Sequence, residues 1–164
     1  MAEFLLEALS EEIPARMQKR AAAEFSQILT SELEKVGLAY ETANYFVTPR
    51  RIAISIDGLP LQQANVVEER RGPRVDAPAP ALDGFMRSNN ISLDQIEERE
   101  TKKGRFYFVE IETKGKLTKE VLPAIIETSL KKFAWPKSMR WGSNSFRWVR
   151  PLHSILAVFE AEVL

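Results

Sequence analysis

The chain alternates stretches of two different periods. EFLLEAL at 3–9 is apolar, lacks helix caps, and runs into Ser10, Glu11, Glu12 and Pro14, the pattern of a strand leading to a helix entrance. Past Pro14 the spacing changes. Met17, Ala21, Phe25, Ile28, Leu29, Leu33 and Val36 recur every three or four positions, which places them on one helical stripe, and Gly37 stands where a left-handed cap belongs. Glu11 and Glu12 sit ahead of or inside the first turn, where negative charge suits the helix dipole. Tyr45, Phe46 and Val47 are stopped by Pro49. From Arg51 the chain alternates strictly, with Ile52, Ile54 and Ile56 on one face and Ala53, Ser55 and Asp57 on the other. These two strands are expected to pair through Thr48-Pro49-Arg50-Arg51, leaving Arg50 and Arg51 adjacent and exposed at the turn, either as phosphate ligands or simply solvated.

LQQANVVEERR at 61–71 reads as a mixed strand that ends at Gly72 and Pro73. The GPRVDAPAPALDGF that follows has the Pro-rich composition of a semi-rigid connection, the best candidate for an internal boundary. A short helix over 81–88 buries Leu82, Phe85 and Met86, and Ser92 caps a turn through Ile96. A hairpin follows over 99–113, with Lys102-Lys103-Gly104 as its tip. Residues from about 75 to 115 are therefore expected to form a small inserted lobe. Thr118 is the expected cap of a second long helix whose stripe is Leu122, Ile125, Ile126, Leu130 and Phe133, kinked or delayed by Pro123. LHSILAVF at 152–159 is the most apolar strand, expected to turn at 160–162 and pair with Val163 and Leu164. The predicted architecture is α+β: an antiparallel sheet with two main helices packed on it, plus the inserted helix-and-hairpin lobe. Strand and helix do not alternate regularly enough for a doubly wound parallel sheet.

Composition narrows the function classes. With 164 residues, 45% hydrophobic and 28% charged, the chain suffices for one domain burying about 70% of its unfolded surface, and disorder explains nothing. Lys plus Arg is 23 and Asp plus Glu is 23, so any contact with nucleic acid has to come from local clustering. The absence of Cys excludes disulfides, thiolate metal sites and a Cys nucleophile, and the single His excludes a histidine-rich metal site. Apolar runs fall far short of the ~20 residues of a membrane span, and the acidic start is unlike a signal peptide, so no membrane partner is expected and the chain reads as cytoplasmic. No dinucleotide fingerprint, P-loop, HExxH or GxSxG occurs. A small-molecule enzyme would have to be built from Glu7, Glu11 and Glu12 with His153; otherwise His153 is a hydrogen-bonded, half-buried imidazole. The stop at AEVL, directly after an apolar strand, suggests a piece of a longer polypeptide.

The least generic stretch is PKSMRWGSNSFRWVRPLH at 136–153. It holds Lys137, Arg140, Arg147, Arg150 and His153 among Trp141, Phe146 and Trp148, without one acidic residue. Arg and Lys bind phosphate and aromatic faces stack unpaired bases, so the segment has the ingredients of an RNA contact. Its aromatics equally suit core or interface anchors. Arg147 and Trp148 are neighbours and face opposite sides if extended, so the segment cannot present every member to one ligand. Lys137, Arg140 and Arg147 are the members expected to face a partner. Arg150 and His153 are expected to be held by the fold's own hydrogen bonds.

EALSEEIP, TPRRIAI, the Arg70-Arg71-Gly72-Pro73 run, ALDGFMR, PKSMRWG and FRWVRPLHSILAVF occur in an order that resembles the N-terminal region of the β subunit of bacterial heterotetrameric glycyl-tRNA synthetase. The resemblance covers essentially the whole chain. Ala8, Leu9 and Ser10 depart from the family's usual [IL]-G-T. The resemblance implies that residues 1–164 form an N-terminal α+β domain of a longer subunit, itself without catalytic residues or cofactor site, with ATP and magnesium handled by the α subunit. It also implies three partners: the α subunit, the remainder of the β subunit and glycine tRNA. On that basis the residues expected to touch tRNA or another subunit are Arg50, Arg51, Arg70, Arg71, Lys137, Arg140, Trp141 and Arg147. The alternative is a standalone protein- or RNA-binding α+β module.

Overall fold

A computed structural model describes residues 2–102, 104–143 and 145–164. The chain divides into two compact units, one formed by residues 1–63 and 116–164 and the other by residues 64–115. Both are α+β, built on antiparallel sheets.

The larger unit carries a five-stranded sheet. β1 (Ala2–Ser10) lies at its centre, β2 (Thr42–Thr48) and β3 (Arg51–Leu59) form the expected hairpin, and β4 (Val66–Arg74) belongs to the other unit. Farther along the chain β7 (Leu152–Phe159) and the two-residue β8 (Glu162–Val163) complete the order β2-β3-β1-β7-β8. The period of two sorts the residues. Phe4, Leu6 and Ala8 are paired with Ile56, Ile54 and Ile52, and these positions are all buried. Over this face pack α1 (Ala15–Lys35) and α3 (Thr118–Lys132), which contribute Phe25, Leu29, Leu33, Leu122, Ile125 and Leu130 to one continuous core. Gly37 has φ +74, the left-handed conformation that ends α1 and that a side chain would disfavour.

Of the expectations for the helix starts, Glu11 and Glu12 do lie ahead of α1, whereas the Thr118 cap does not form. The first turn of α1 holds no acidic residue, because the link from β1 is tied down before the helix starts: the Glu11 N–H donates to the Pro151 carbonyl at 2.9 Å and that of Ile13 to Pro49 at 2.6 Å. Thr118 does not cap α3. Leu117 occupies that position, and the buried Thr118 hydroxyl donates instead to the Pro60 carbonyl at 2.5 Å while its N–H reaches Leu61 at 2.9 Å. Pro123 lies inside α3 without ending it.

In the smaller unit, β4 pairs with β6 (Gly104–Thr113), which pairs with β5 (Ile96–Thr101), giving the order β4-β6-β5. The strand that the sequence places ahead of the lobe is thus part of the same sheet. α2 (Ala79–Asn89) buries no residue completely, and it packs by Phe85 against Gly72, where an added Cβ would fall 2.8 Å from the ring. Phe106 and Val109 form the buried centre. The Ser92 N–H donates to Gln95 Oε1 at 3.0 Å, holding a single 3-10 turn at Leu93–Gln95. Of the expected hairpin tip, Lys103 lies outside the described residues.

Candidate nucleic-acid and subunit interface

At the end of α3 the chain enters an aromatic cluster. Phe133, Trp135 and Trp148 meet pairwise with ring centroids 4.8 to 5.5 Å apart, and Phe25 of α1 stands 5.5 Å from Phe133 and 6.0 Å from Trp148. Trp148 is 1% exposed. Phe146 stacks on Trp148 at 5.9 Å, and Trp141 meets Phe146 edge-on at 6.0 Å. The loop is also closed through its backbone, the Met139 N–H donating to the Trp148 carbonyl at 2.8 Å and the Trp148 N–H to Met139 at 3.2 Å. Rings therefore anchor the segment from inside, and the polar members of the run are turned outward.

Arg147 and Trp148 separate as an extended pair must, the Trp buried and the Arg exposed. The guanidinium of Arg147 is held in place by Ser138: Nε donates to Ser138 Oγ and Nη2 to the Ser138 carbonyl, each at 3.0 Å. Between this loop and the end of α3 lies an open cleft of about 480 Å³, lined by Lys131, Phe133, Trp135, Ser138, Phe146 and Arg147. The Trp135 indole N–H is buried and has no hydrogen-bond partner among the described residues. Asn144 of the same loop lies outside the described residues.

The eight residues singled out from the sequence fall into electrostatically different groups. Arg50 at the β2–β3 turn donates through Nε to the Ser10 carbonyl at 3.3 Å, with Nη2 3.5 Å from Glu11 Oε1, and Arg51 Nε lies 3.3 Å from Glu7 Oε2. Arg70 is in the smaller unit, with Nη2 3.0 Å from Glu68 Oε2 and Nη1 donating to Asn89 Oδ1 at 2.9 Å. Arg71 lies with its guanidinium carbon 3.8 Å above the Phe106 ring. Lys137, Arg140 and Arg147 differ from the first three: among the described residues none of them has a carboxylate within 4 Å. An arginine already paired with a glutamate gains less from a phosphate than one whose charge is unmet. Trp141 is half-buried at the edge of the same loop.

The one His is engaged as the sequence suggests. His153 Nε2 lies 2.5 Å from Glu11 Oε1, and this hydrogen bond, followed by the charge of Arg50, holds the Glu11 carboxyl below its ordinary range. All three side chains are about half exposed. Glu7 is engaged with Arg51, so these side chains tie strand ends together. Arg150 Nη1 donates to the Val149 carbonyl at 3.0 Å. Sequence reasoning missed Ser138, whose role depends on Arg147 folding back across the loop, and it missed Lys131 as a wall of the cleft. No helix among the described residues is long and apolar enough to cross a membrane.

The family described as glycyl-tRNA synthetase beta subunit matches residues 4–164. A glycine--tRNA ligase beta subunit of Rhodospirillum centenum is 50% identical over 165 residues, covering 100% of this chain and 23% of that protein. Those of Paracoccus denitrificans and a Ruegeria species are each 47% identical over 162 residues, covering 99% of this chain and 24% of each relative. The chain thus spans about a quarter of the length of the curated relatives it matches. With the match running from the first core strand through the aromatic loop to the last strand, the chain belongs to the glycyl-tRNA synthetase beta subunit family.

Proposed function

We propose that these 164 residues act as a non-catalytic N-terminal module of a glycine--tRNA ligase beta subunit, serving ATP-dependent attachment of glycine to its tRNA by supporting tRNA binding and assembly with the α subunit. The reading assigns ATP and magnesium to the α subunit. The observation that carries it is the loop at 136–150: Lys137, Arg140 and Arg147, like Arg150, have no carboxylate within 4 Å among the described residues, and Arg147 is pre-oriented by Ser138, on a base of packed aromatic rings. Such a surface meets a polyanion without having to break internal ion pairs, and rigid support lowers the ordering cost of each contact. Half-buried Trp141 and 40%-exposed Met139 on the same loop supply the apolar contribution expected of a subunit contact.

The test is a titration of glycine tRNA against the full-length subunit at several salt concentrations, with Lys137, Arg140 and Arg147 changed to Ala singly and together. Removing one cation from a phosphate makes the slope of log K against log salt shallower by about 1. The triple variant is expected to bind at least tenfold more weakly with a shallower slope, while Arg51→Ala, whose guanidinium is already paired with Glu7, changes little. Unaltered affinity in the triple variant would remove the tRNA half of the reading. Unaltered association with the α subunit in Trp141→Ala would remove the assembly half.

A further inference from the structure

Both edges of the smaller sheet carry a device against strand addition: β4 has Glu68, Glu69, Arg70 and Arg71, then Pro73 and a register shift between Arg71 and Arg74, and β5 reads Glu97-Glu98-Arg99-Glu100. In the larger sheet one border is β7, of which β8 covers only Val158 and Phe159, and the other is β2. Short length, charge, proline and bulges are the usual ways of blunting an edge. β2 has none of them. TANYFVT holds seven residues with no charge, proline or glycine, and its register against β3 is unbroken from Thr42 to Thr48. Among the described residues its other side pairs with no strand.

The open groups follow from the turn. A two-residue connection at Pro49 and Arg50 makes Thr48 and Arg51 the closing hydrogen-bonded pair, so Thr42, Asn44 and Phe46 direct their main-chain groups at β3 while Ala43, Tyr45 and Val47 direct theirs outward. Tyr45 and Phe46 are 40% and 60% exposed, on opposite faces of the edge. Beside it on the face away from the helices is an apolar-walled cleft of about 310 Å³, lined by Leu5, Phe46, Val47 and Ala53 with Glu7 and Arg51 at its rim. A ladder of main-chain groups with a neighbouring pocket for alternate side chains is what an added strand uses.

We propose that the outer edge of β2 is a strand-addition site, filled by an extended, alternately apolar segment from the remaining three-quarters of the same β subunit. The proposal rests on the chain working as part of such a subunit. The relatives are about four times as long as this chain, so a tethered segment is at hand at millimolar effective concentration whenever the edge is formed. A separate partner would leave the edge open during folding, and an open, uncharged seven-residue edge is an aggregation template.

Amide exchange read residue by residue decides it. In the full-length subunit the Ala43, Tyr45 and Val47 amides are expected to exchange at least tenfold more slowly than in the 164-residue chain. Asn44 and Phe46, bonded to β3 in both, act as internal controls. In full-length Phe46→Lys the outward amides should move toward the rates of the short chain; if the controls also speed up, β2 has melted and the wild-type comparison alone decides. Equal outward rates in the two wild-type proteins overturn the proposal. So does protection in the short chain that rises with its concentration, which indicates a second copy, and so does protection that appears only when the α subunit is added. Glycine attachment is measured alongside: lost activity with the protection present breaks the functional reading alone, and intact activity without protection breaks this proposal alone.

Discussion

Trp148 is the side chain on which the loop at 136–150 turns, and Trp148→Ala is the sharpest test of that claim. Its ring is 1% exposed and touches four others, those of Phe25, Phe133, Trp135 and Phe146, at centroid distances of 5.0 to 6.0 Å. Truncating a buried Trp to Ala costs about 3–5 kcal/mol, since the site collapses only in part. Two features keep this site from collapsing: the backbone bridge between Met139 and Trp148, and the two helices that supply Phe25 and, just past α3, Phe133. A domain of ordinary stability has ~5–15 kcal/mol in total, so the loss is a large fraction of it. At about 2–4 °C per kcal/mol for a chain of this length, the melting temperature should fall by about 6–20 °C. Tryptophan fluorescence is the right probe, because Trp135, Trp141 and Trp148 all belong to the larger unit and report on it separately from the other. Trp141→Ala is the comparison: that ring is half-buried at the border of the core and, among the described residues, Phe146 at 6.0 Å is the one aromatic ring it meets, so about 1 kcal/mol is expected. A Trp148→Ala protein destabilised by less than about 1 kcal/mol, or no more than Trp141→Ala, would refute the idea that the rings hold the loop.

Glu11→Gln should flatten the acid limb of the stability curve. The Glu11 carboxyl titrates below its ordinary value in the folded protein, chiefly through the His153 hydrogen bond and then the Arg50 charge, so its stabilisation is complete above the ordinary carboxylate value and lost as pH falls through the lowered one; urea midpoints at pH 7 and pH 3 should differ less in the variant than in the wild type, and identical pH dependence would contradict this. Thr118→Val leaves the Pro60 carbonyl without its 2.5 Å donor in a fully buried site and should cost about 1–3 kcal/mol by denaturant titration, despite the near-equal shape of the side chain.

The elements that were legible in advance are those whose residues repeat at a fixed period. The stripe from Met17 to Leu33 could only be a helix with one buried face, and Ile52, Ile54 and Ile56 could only be one side of a strand, because burial rewards whichever period brings the apolar groups together. The β2–β3 and β7–β8 turns were legible too, since the pairing is local. The cap of α3 was misread for the opposite reason. Thr118 has the right residue type for a cap, yet its hydroxyl meets the Pro60 carbonyl far along the chain. A local preference worth about 1 kcal/mol yields to a tertiary bond in a buried place where an unpaired group would cost more.

The candidate interface divides in the same way. Sequence by itself determined that 136–153 is acid-free, basic and aromatic, that Arg147 and Trp148 must point apart, and that the chain resembles one family throughout. Which cations are left for a partner was decided only by the fold, because a charge is neutralised by whatever the tertiary structure brings within about 4 Å. The turn at Pro49 and Arg50 carries Arg50 to Glu11 and Arg51 to Glu7, and the smaller sheet carries Arg70 to Glu68, whereas the loop closed by Trp148 holds Lys137, Arg140 and Arg147 away from every described carboxylate. The same holds for the β2 edge. Its lack of charge is written in the sequence, but that it lies at the border of a sheet follows from β1 taking the other side of β3, a pairing between residues about 50 positions apart.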